Sequence, residues 1–203
     1  MMLSETEYKS RFDKLYGFFT TAYLTFSTWQ GLQDESYNEL FEENPNFWNA
    51  TLFSLQNTFL ASLARIYEKS SFSKKDKVIS VYALVPSQKD AKRRSEAMQL
   101  LQKHAKIIKA VKALRDNQLF HNNAKHLLDP SKIHKKFPMT NGEIEELIES
   151  SGKLLSLLNP ETYHEYLYQD FAEGCRQDSR SVVEKIRHFI NAPQFPSKTS
   201  DRS

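Results

Sequence analysis

The sequence predicts an all-α protein: one helical bundle of four to six helices. Three observations carry that prediction. Apolar residues recur at the 3.6-residue period of a helix in one segment after another. Five glycines and seven prolines in 203 residues are few for a sandwich or a loop-rich fold. Helix start and stop signals bracket the periodic segments. We expect a single helical domain over residues 1–191 and a Pro/Ser-rich, disordered tail over residues 192–203.

The first helix is expected from about Glu5 to Leu32. Leu15, Phe18, Phe19, Ala22, Phe26 and Trp29 share one of its faces, an aromatic stripe that reads as core. Gly31 and the polar stretch after it close the segment. The second helix starts at Asn44, with Pro45 in the first turn where its missing N–H costs nothing. It runs to about Lys69 on an apolar face of Leu52, Leu55, Phe59, Leu63 and Ile66. Residues 70–76 read as a connector and 77–85 as a short helix. Pro86 and Ser87 open the third long helix, with Ser87 as its cap, and it runs past Leu114. A polar, proline-broken stretch spans Asn122 to Pro138. Thr140 and Glu143 form a capping-box pattern before Ile144, Leu147, Ile148, Leu155 and Leu158. Asn159 and Pro160 start a last helix, which Gly174 ends or interrupts and which Ser181 with Glu184 restarts.

The chain is long enough to bury a core without disulfides or metals. Its one cysteine, Cys175, excludes a disulfide framework and a cysteine-based zinc site within the chain, and reads as a small buried or half-buried thiol. Residues 1–11 lack the apolar core of a signal peptide, and no run approaches a membrane span. A cytoplasmic location fits. The net charge of +3 is unevenly spread. Between Lys74 and Lys136 stand 16 Lys and Arg against 5 Asp and Glu, a balance of +11, against −8 for the remainder. Such a split suits either a polyanion partner or the association of unlike faces.

The segment from Lys103 to His121 holds the most informative residues. On an ideal helix Leu100, His104, Ile107, Ile108, Val111 and Leu114 form its buried face, and Lys106, Lys109 and Lys112 its solvated face. Arg115 falls with neither lysine nor solvent. It sits at the edge of the apolar face, where a guanidinium requires an acceptor, and carboxylate and phosphate both match its fork. A salt bridge to a glutamate of the bundle is the plain expectation for a lone arginine. Here Asp116, Asn117 and, further on, His121 follow it.

ALRDNQLFHN resembles the signature of the HEPN superfamily: Arg, a polar residue, and a His after four to six residues in all. Arg115, Asp116 and His121 fill those positions. The wider chain is similar to the AbiU-like abortive-infection branch. The resemblance includes LARIYEKS (Leu63 to Ser70), the LRD motif with its following His, and PMTNGEIEELIESSGKLLSLLN (Pro138 to Asn159). It covers roughly residues 10 to 190. Two features depart from it. Phe120 precedes the His where relatives often carry a small residue, and Asn122 and Asn123 follow it where an acidic residue is common.

The resemblance implies a HEPN-like helical bundle and a metal-independent endoribonuclease of the toxin or antiviral kind, needing no cofactor and no metal. In that chemistry the 2′-hydroxyl of the substrate attacks the adjacent phosphate. His121 would move protons near neutral pH, and Arg115 would bind the phosphate and stabilise developing charge. Asp116 and Asn117 would orient them. Lys112, Lys125 and Lys132, with Lys135, Lys136 and Asn122, would hold the RNA backbone. Residues six apart on an ideal helix point about 120° apart and lie about 9 Å apart along the axis. So either the helix breaks after Asn117 or a second copy completes the site. HEPN proteins pair their motifs across a dimer, which implies a symmetric homodimer with both motifs at the two-fold cleft. A separate antitoxin protein is a further expected partner.

His104 reads as core, and His126, His134, His164 and His188 show no ligand spacing. Two other readings stay open at this point. One is a HEPN-like module that grips RNA or a protein without cutting. The other is a purely structural bundle in which Arg115 pairs with a glutamate.

Overall fold

The computed structural model describes residues 3–69, 78–116, 136, 138–160 and 167–191; residues 167–171 and 189–191 are described as backbone only. Eight α-helices lie among them: α1 (Glu5–Gly31), α2 (Asn38–Glu43), α3 (Pro45–Ile66), α4 (Val81–Leu84), α5 (Ala91–Lys103), α6 (Ala105–Leu114), α7 (Asn141–Leu158) and α8 (Leu167–Asn191). Short 3₁₀ turns at Glu35–Tyr37 and Val85–Ser87 join some of them, and no strand occurs among the described residues. The all-α expectation holds, with a helix count above the expected four to six.

Helix α1 is the axis of the bundle. It packs along α3 and α8 and also touches α7 and α4. The aromatic stripe explains why. Leu15, Phe19, Ala22, Phe26 and Trp29 are buried, joined by Phe12. Phe26 meets Phe59 of α3 edge-on with ring centroids 5.2 Å apart, and Trp29 meets the same ring at 5.7 Å. Phe18, at the stripe's edge, is half-buried beneath the Arg65 guanidinium. Each such ring removed from water contributes about 1.5–3 kcal/mol. Ser4 caps the helix by accepting from the Glu7 N–H at 3.3 Å, and Glu5 and Glu7 complement its positive end.

Helix α7 lies across α5, α1 and α6. Its start is the expected capping box: Thr140 Oγ1 accepts from the Glu143 N–H at 3.1 Å, and Glu143 Oε2 accepts from the Thr140 N–H at 2.8 Å. Its end is capped by three separate elements. The Arg93 Nη2 donates to the Ser156 carbonyl at 2.6 Å, Gln88 Nε2 to Leu157 at 2.6 Å, and the Tyr8 hydroxyl to Leu158 at 2.7 Å. Carbonyls that a helix end leaves orphaned thus bind side chains from α1, the residue after the Val85–Ser87 turn and α5. The cation of Arg93 also suits the negative end of α7.

The structure corrects three expectations. The third long helix does not open at Ser87. Val85–Ser87 is a 3₁₀ turn, and Ser87 Oγ instead accepts from the Leu3 N–H at 3.3 Å. Asp90 is the true cap, its Oδ1 accepting from Lys92 and Arg93 at 2.8 and 3.1 Å. That helix is also not continuous: it breaks at His104, whose ring turns inward to Ser150 of α7 at 2.8 Å. The break directs α5 onto α7 while α6 reaches α3 as well. Finally, Gly174 neither ends nor interrupts α8, which runs unbroken to Asn191. A helix-interior glycine costs about 1 kcal/mol, too little to stop a helix of this length that packs against α1. The sequence reading also omitted α2, because NELFEE is too short to show a period. The connector at 70–76, the polar stretch's residues 122–135 and 137, and the tail at 192–203 lie outside the described residues.

Helix α8 passes close to α1 at Gly31. A Cβ there would collide with Ser179 Oγ and stand 2.6 Å from the Arg176 carbonyl oxygen. Backbone cannot yield as a flexible side chain can. Gly31→Ala is expected to lower the unfolding free energy by about 1–3 kcal/mol, read by urea denaturation. Wild-type stability in that variant would refute this close crossing.

Candidate active site

The predicted site begins where α6 ends. Arg115 caps α6, and the chain widens into a π turn at Arg115 and Asp116. Such turns recur at functional sites because the extra residue re-aims side chains. The α geometry thus ends at Leu114, and the break after Asn117 that was one of the two expectations lies outside the described residues.

The Arg115 side chain is only 12% exposed. As its place at the edge of the apolar face required, it has found acceptors. Its Nε donates to Asp116 Oδ1 at 2.8 Å, and its Nη2 stands 2.6 Å from the same oxygen. Its Nη1 donates to Glu68 Oε2. One turn earlier on α6, Lys112 Nζ lies 3.5 Å from Glu68 Oε1. Two cations three residues apart on α6 thus share one carboxylate that stands just beyond the end of α3.

The charge states are fixed by this arrangement. Burial alone raises the Glu68 pKa, but the bonds from Arg115 and Lys112 outweigh it and hold the carboxyl below its usual range. Burial works against the Arg115 charge, and its bonds to Glu68 and Asp116 overcome that and keep the guanidinium ionised.

Two buried hydrogen bonds place the cluster. Tyr67, the residue before Glu68, reaches Ser151 of α7 at 2.7 Å. Ser151 Oγ donates its own hydrogen to the Leu147 carbonyl at 2.7 Å, so the Tyr67 hydroxyl is the donor. Burial pushes the Tyr67 pKa far up, which keeps that proton in place. Next to Ser151, Ser150 bonds His104 at the start of α6. Burial lowers the His104 pKa, with Lys103 acting in the same sense and Glu146 opposing, so the imidazole favours its neutral form. Adjacent serines of α7 therefore fix the end of α3 and the start of α6, the two elements that bring Glu68 to Arg115.

Of the expected site residues, the structure brings together Arg115, Asp116 and Lys112. Lys112 does not belong to the freely solvated face assigned to it. Its side chain is 23% exposed and turned to Glu68, whereas Lys106 and Lys109 are exposed. His121, Asn117, Asn122, Lys125, Lys132 and Lys135 lie outside the described residues. Glu68 was not singled out by the sequence. Arg115's position demanded an acceptor, but no local pattern distinguishes one acid from another across 47 residues of separation. Lys69, beside Glu68, sets its ammonium 5.0 Å from the Tyr82 ring centre. Among the described residues no three His, Cys, Asp or Glu side chains form a group able to hold a metal ion. No helix among them is long and apolar enough to cross a membrane.

The family model that matches the chain makes this all-helical bundle a HEPN-type protein. More narrowly, the chain belongs to the HEPN_AbiU2 family, described as AbiU2, whose model matches residues 5–188. This is a family of abortive-infection proteins. Neither the curated proteins nor the solved structures compared with the chain gave a significant match.

The Glu68 shift has a sign that can be measured. A carboxylate whose folded pKa is depressed contributes stability that is full above its unfolded pKa and fades as pH falls through the folded value. The stability gap between wild type and Glu68→Gln, from urea denaturation, is expected to shrink as pH falls from about 6 to about 3. A gap that stays constant across that range would mean that Glu68 gains nothing from Arg115 and Lys112.

Proposed function

We propose that this chain is a metal-independent endoribonuclease that acts in the cytoplasm as a toxin or antiviral effector of abortive infection. The observation that carries the reading is Arg115. It is an ionised, mostly buried guanidinium at a π-widened helix end, with Lys112 beside it, in a member of the HEPN_AbiU2 family. A buried helix end with two cations suits the equatorial oxygens of a phosphate under attack. In this reading the RNA's 2′-oxygen forms a bond to phosphorus while the bond to the 5′-oxygen breaks. His121 takes the proton from the former and returns one to the latter. Asp116 and Asn117 set the positions of Arg115 and His121. Lys112, Lys125, Lys132 and Asn122 hold the strand, two copies of the chain pair their motifs in a homodimer, and a separate antitoxin restrains the activity.

A non-catalytic HEPN-like module that binds RNA or protein is the second reading, and one specific observation favours the third, a purely structural bundle. Arg115 meets Asp116 on one edge of its fork and Glu68 at the other, which is how an arginine kept only for structure would stand.

Incubation of mixed RNA in EDTA separates the nuclease from the binding module, and a chain that neither cuts nor binds RNA is the structural bundle. Wild type is expected to cut, and His121→Ala to lose roughly 100- to 10,000-fold in rate with an unchanged melting temperature. Arg115→Ala is expected to lose cleavage as well. Full cleavage by both variants would falsify the site. No cleavage by wild type, with RNA binding that weakens steeply with salt, would establish the binding module.

A further inference from the structure

We propose that the Glu68 carboxylate occupies the seat that an RNA phosphate takes on Arg115 and Lys112, and that the two exchange. That the incoming phosphate is RNA's rests on the reading above; that the seat accepts a phosphate at all does not.

The seat is defined by two donors. Arg115 Nη1 and Lys112 Nζ, one turn apart on α6, converge on the two oxygens of a single carboxylate, the ammonium at 3.5 Å. Phosphate and carboxylate present the same kind of paired oxygens to such donors. A group that holds one has the geometry to hold the other. Asp116 binds the opposite edge of the guanidinium, through Nε and Nη2, and does not stand in this seat.

Charge makes the exchange competitive. Among the described residues, the charges of Lys112, Arg115, Glu68 and Asp116 sum to zero. A phosphate added beside Glu68 would face a carboxylate held firmly in its ionised form, so both anions cannot share the two cations without repulsion. What moves is the Glu68 side chain, because the backbone beside it is tied down by the buried Tyr67–Ser151 bond. The Glu68 side chain is 28% exposed, at the rim rather than in the core, so water receives it when it leaves. Arg115 stays in place, held by Asp116 and by burial. The cluster thus rests in a self-neutralised form that a polyanion opens, and the fork's occupation by carboxylates becomes compatible with a phosphate-binding role.

Melting temperatures tested against rising inorganic phosphate, with ionic strength held constant by chloride, read the seat without any RNA. Phosphate is expected to raise the melting temperature of Glu68→Ala more steeply than that of wild type, by filling the vacated seat. The added rise should vanish in Glu68→Ala/Arg115→Ala. Glu68→Gln, which keeps the side-chain volume, takes the place of Glu68→Ala if the latter does not fold. Equal rises in wild type and variant, or a rise that persists without Arg115, would overturn the exchange. A 2′-O-methyl RNA, which cannot attack its own phosphate, gives the second readout. Glu68→Gln is expected to bind it severalfold tighter, with a salt slope steeper by about one. Unchanged or weaker binding there would also overturn the proposal. If wild type cuts no RNA but phosphate behaves as stated, the nuclease reading fails and the exchange stands. If RNA is cut but phosphate does not discriminate, the reverse holds.

Discussion

The contact between the aromatic stripe of α1 and Phe59 of α3 sets the register of the bundle. Phe26 and Trp29 both close on that ring, and Leu60, Leu63 and Ile66 follow it into the core. Because α3 is a rigid helix, fixing Phe59 fixes where its last turn ends, two turns on. That end is Tyr67, and the next residue is Glu68. The position of an ionic cluster at the bundle's rim therefore follows from apolar packing well away from it. An error of one residue in how α3 seats on α1 would turn Glu68 by about 100° around the helix axis.

Helix α7 acts as the ruler for the other half of the cluster. Ser150 and Ser151 are consecutive, yet one binds His104 and the other Tyr67. Each bond is buried, where an unmet partner costs about 1–3 kcal/mol. The pair ties the start of α6 and the end of α3 to the same turn of α7. Arg115 then lies three turns along α6 from His104, opposite the carboxylate that Tyr67 carries with it. Removing water from these bonds makes them stiff, and stiffness in the supporting shell is what a charged site at a helix end needs. The capping of α7's last carbonyls by Tyr8, Gln88 and Arg93 holds that ruler at its far end.

On the proposed function, the ionic cluster answers two demands. A mostly buried guanidinium must be paired, since an unpaired one is strongly destabilising. A phosphate-binding guanidinium must also be able to give up a partner. Asp116, on the adjacent residue, and Glu68, at the rim, meet the first demand from two sides of the fork. The exchange proposed for Glu68 would meet the second.

Read alone, the sequence determined the helical class, the α1 and α3 faces, the capping box at Thr140 and the place of Arg115 at the edge of the apolar face, because each is a local matter of period or of short-range chemistry. The residues from Leu63 to Ser70 and from Pro138 to Asn159 were legible as family pattern, but not as contacts. Where the chain turned for a tertiary reason, local signals misled. His104 broke a helix that period alone would continue, because a buried serine on another helix offered its ring a partner. Ser87 gave up its capping role to Asp90 because Leu3 claimed its hydroxyl. Gly174 did not stop α8, whose packing along α1 outweighs one residue's entropy. The identity of Arg115's partner belongs to the same class. Many acids in the chain could satisfy a guanidinium, and only the seating of α3 on α1 and of Tyr67 on α7 decided that it is Glu68.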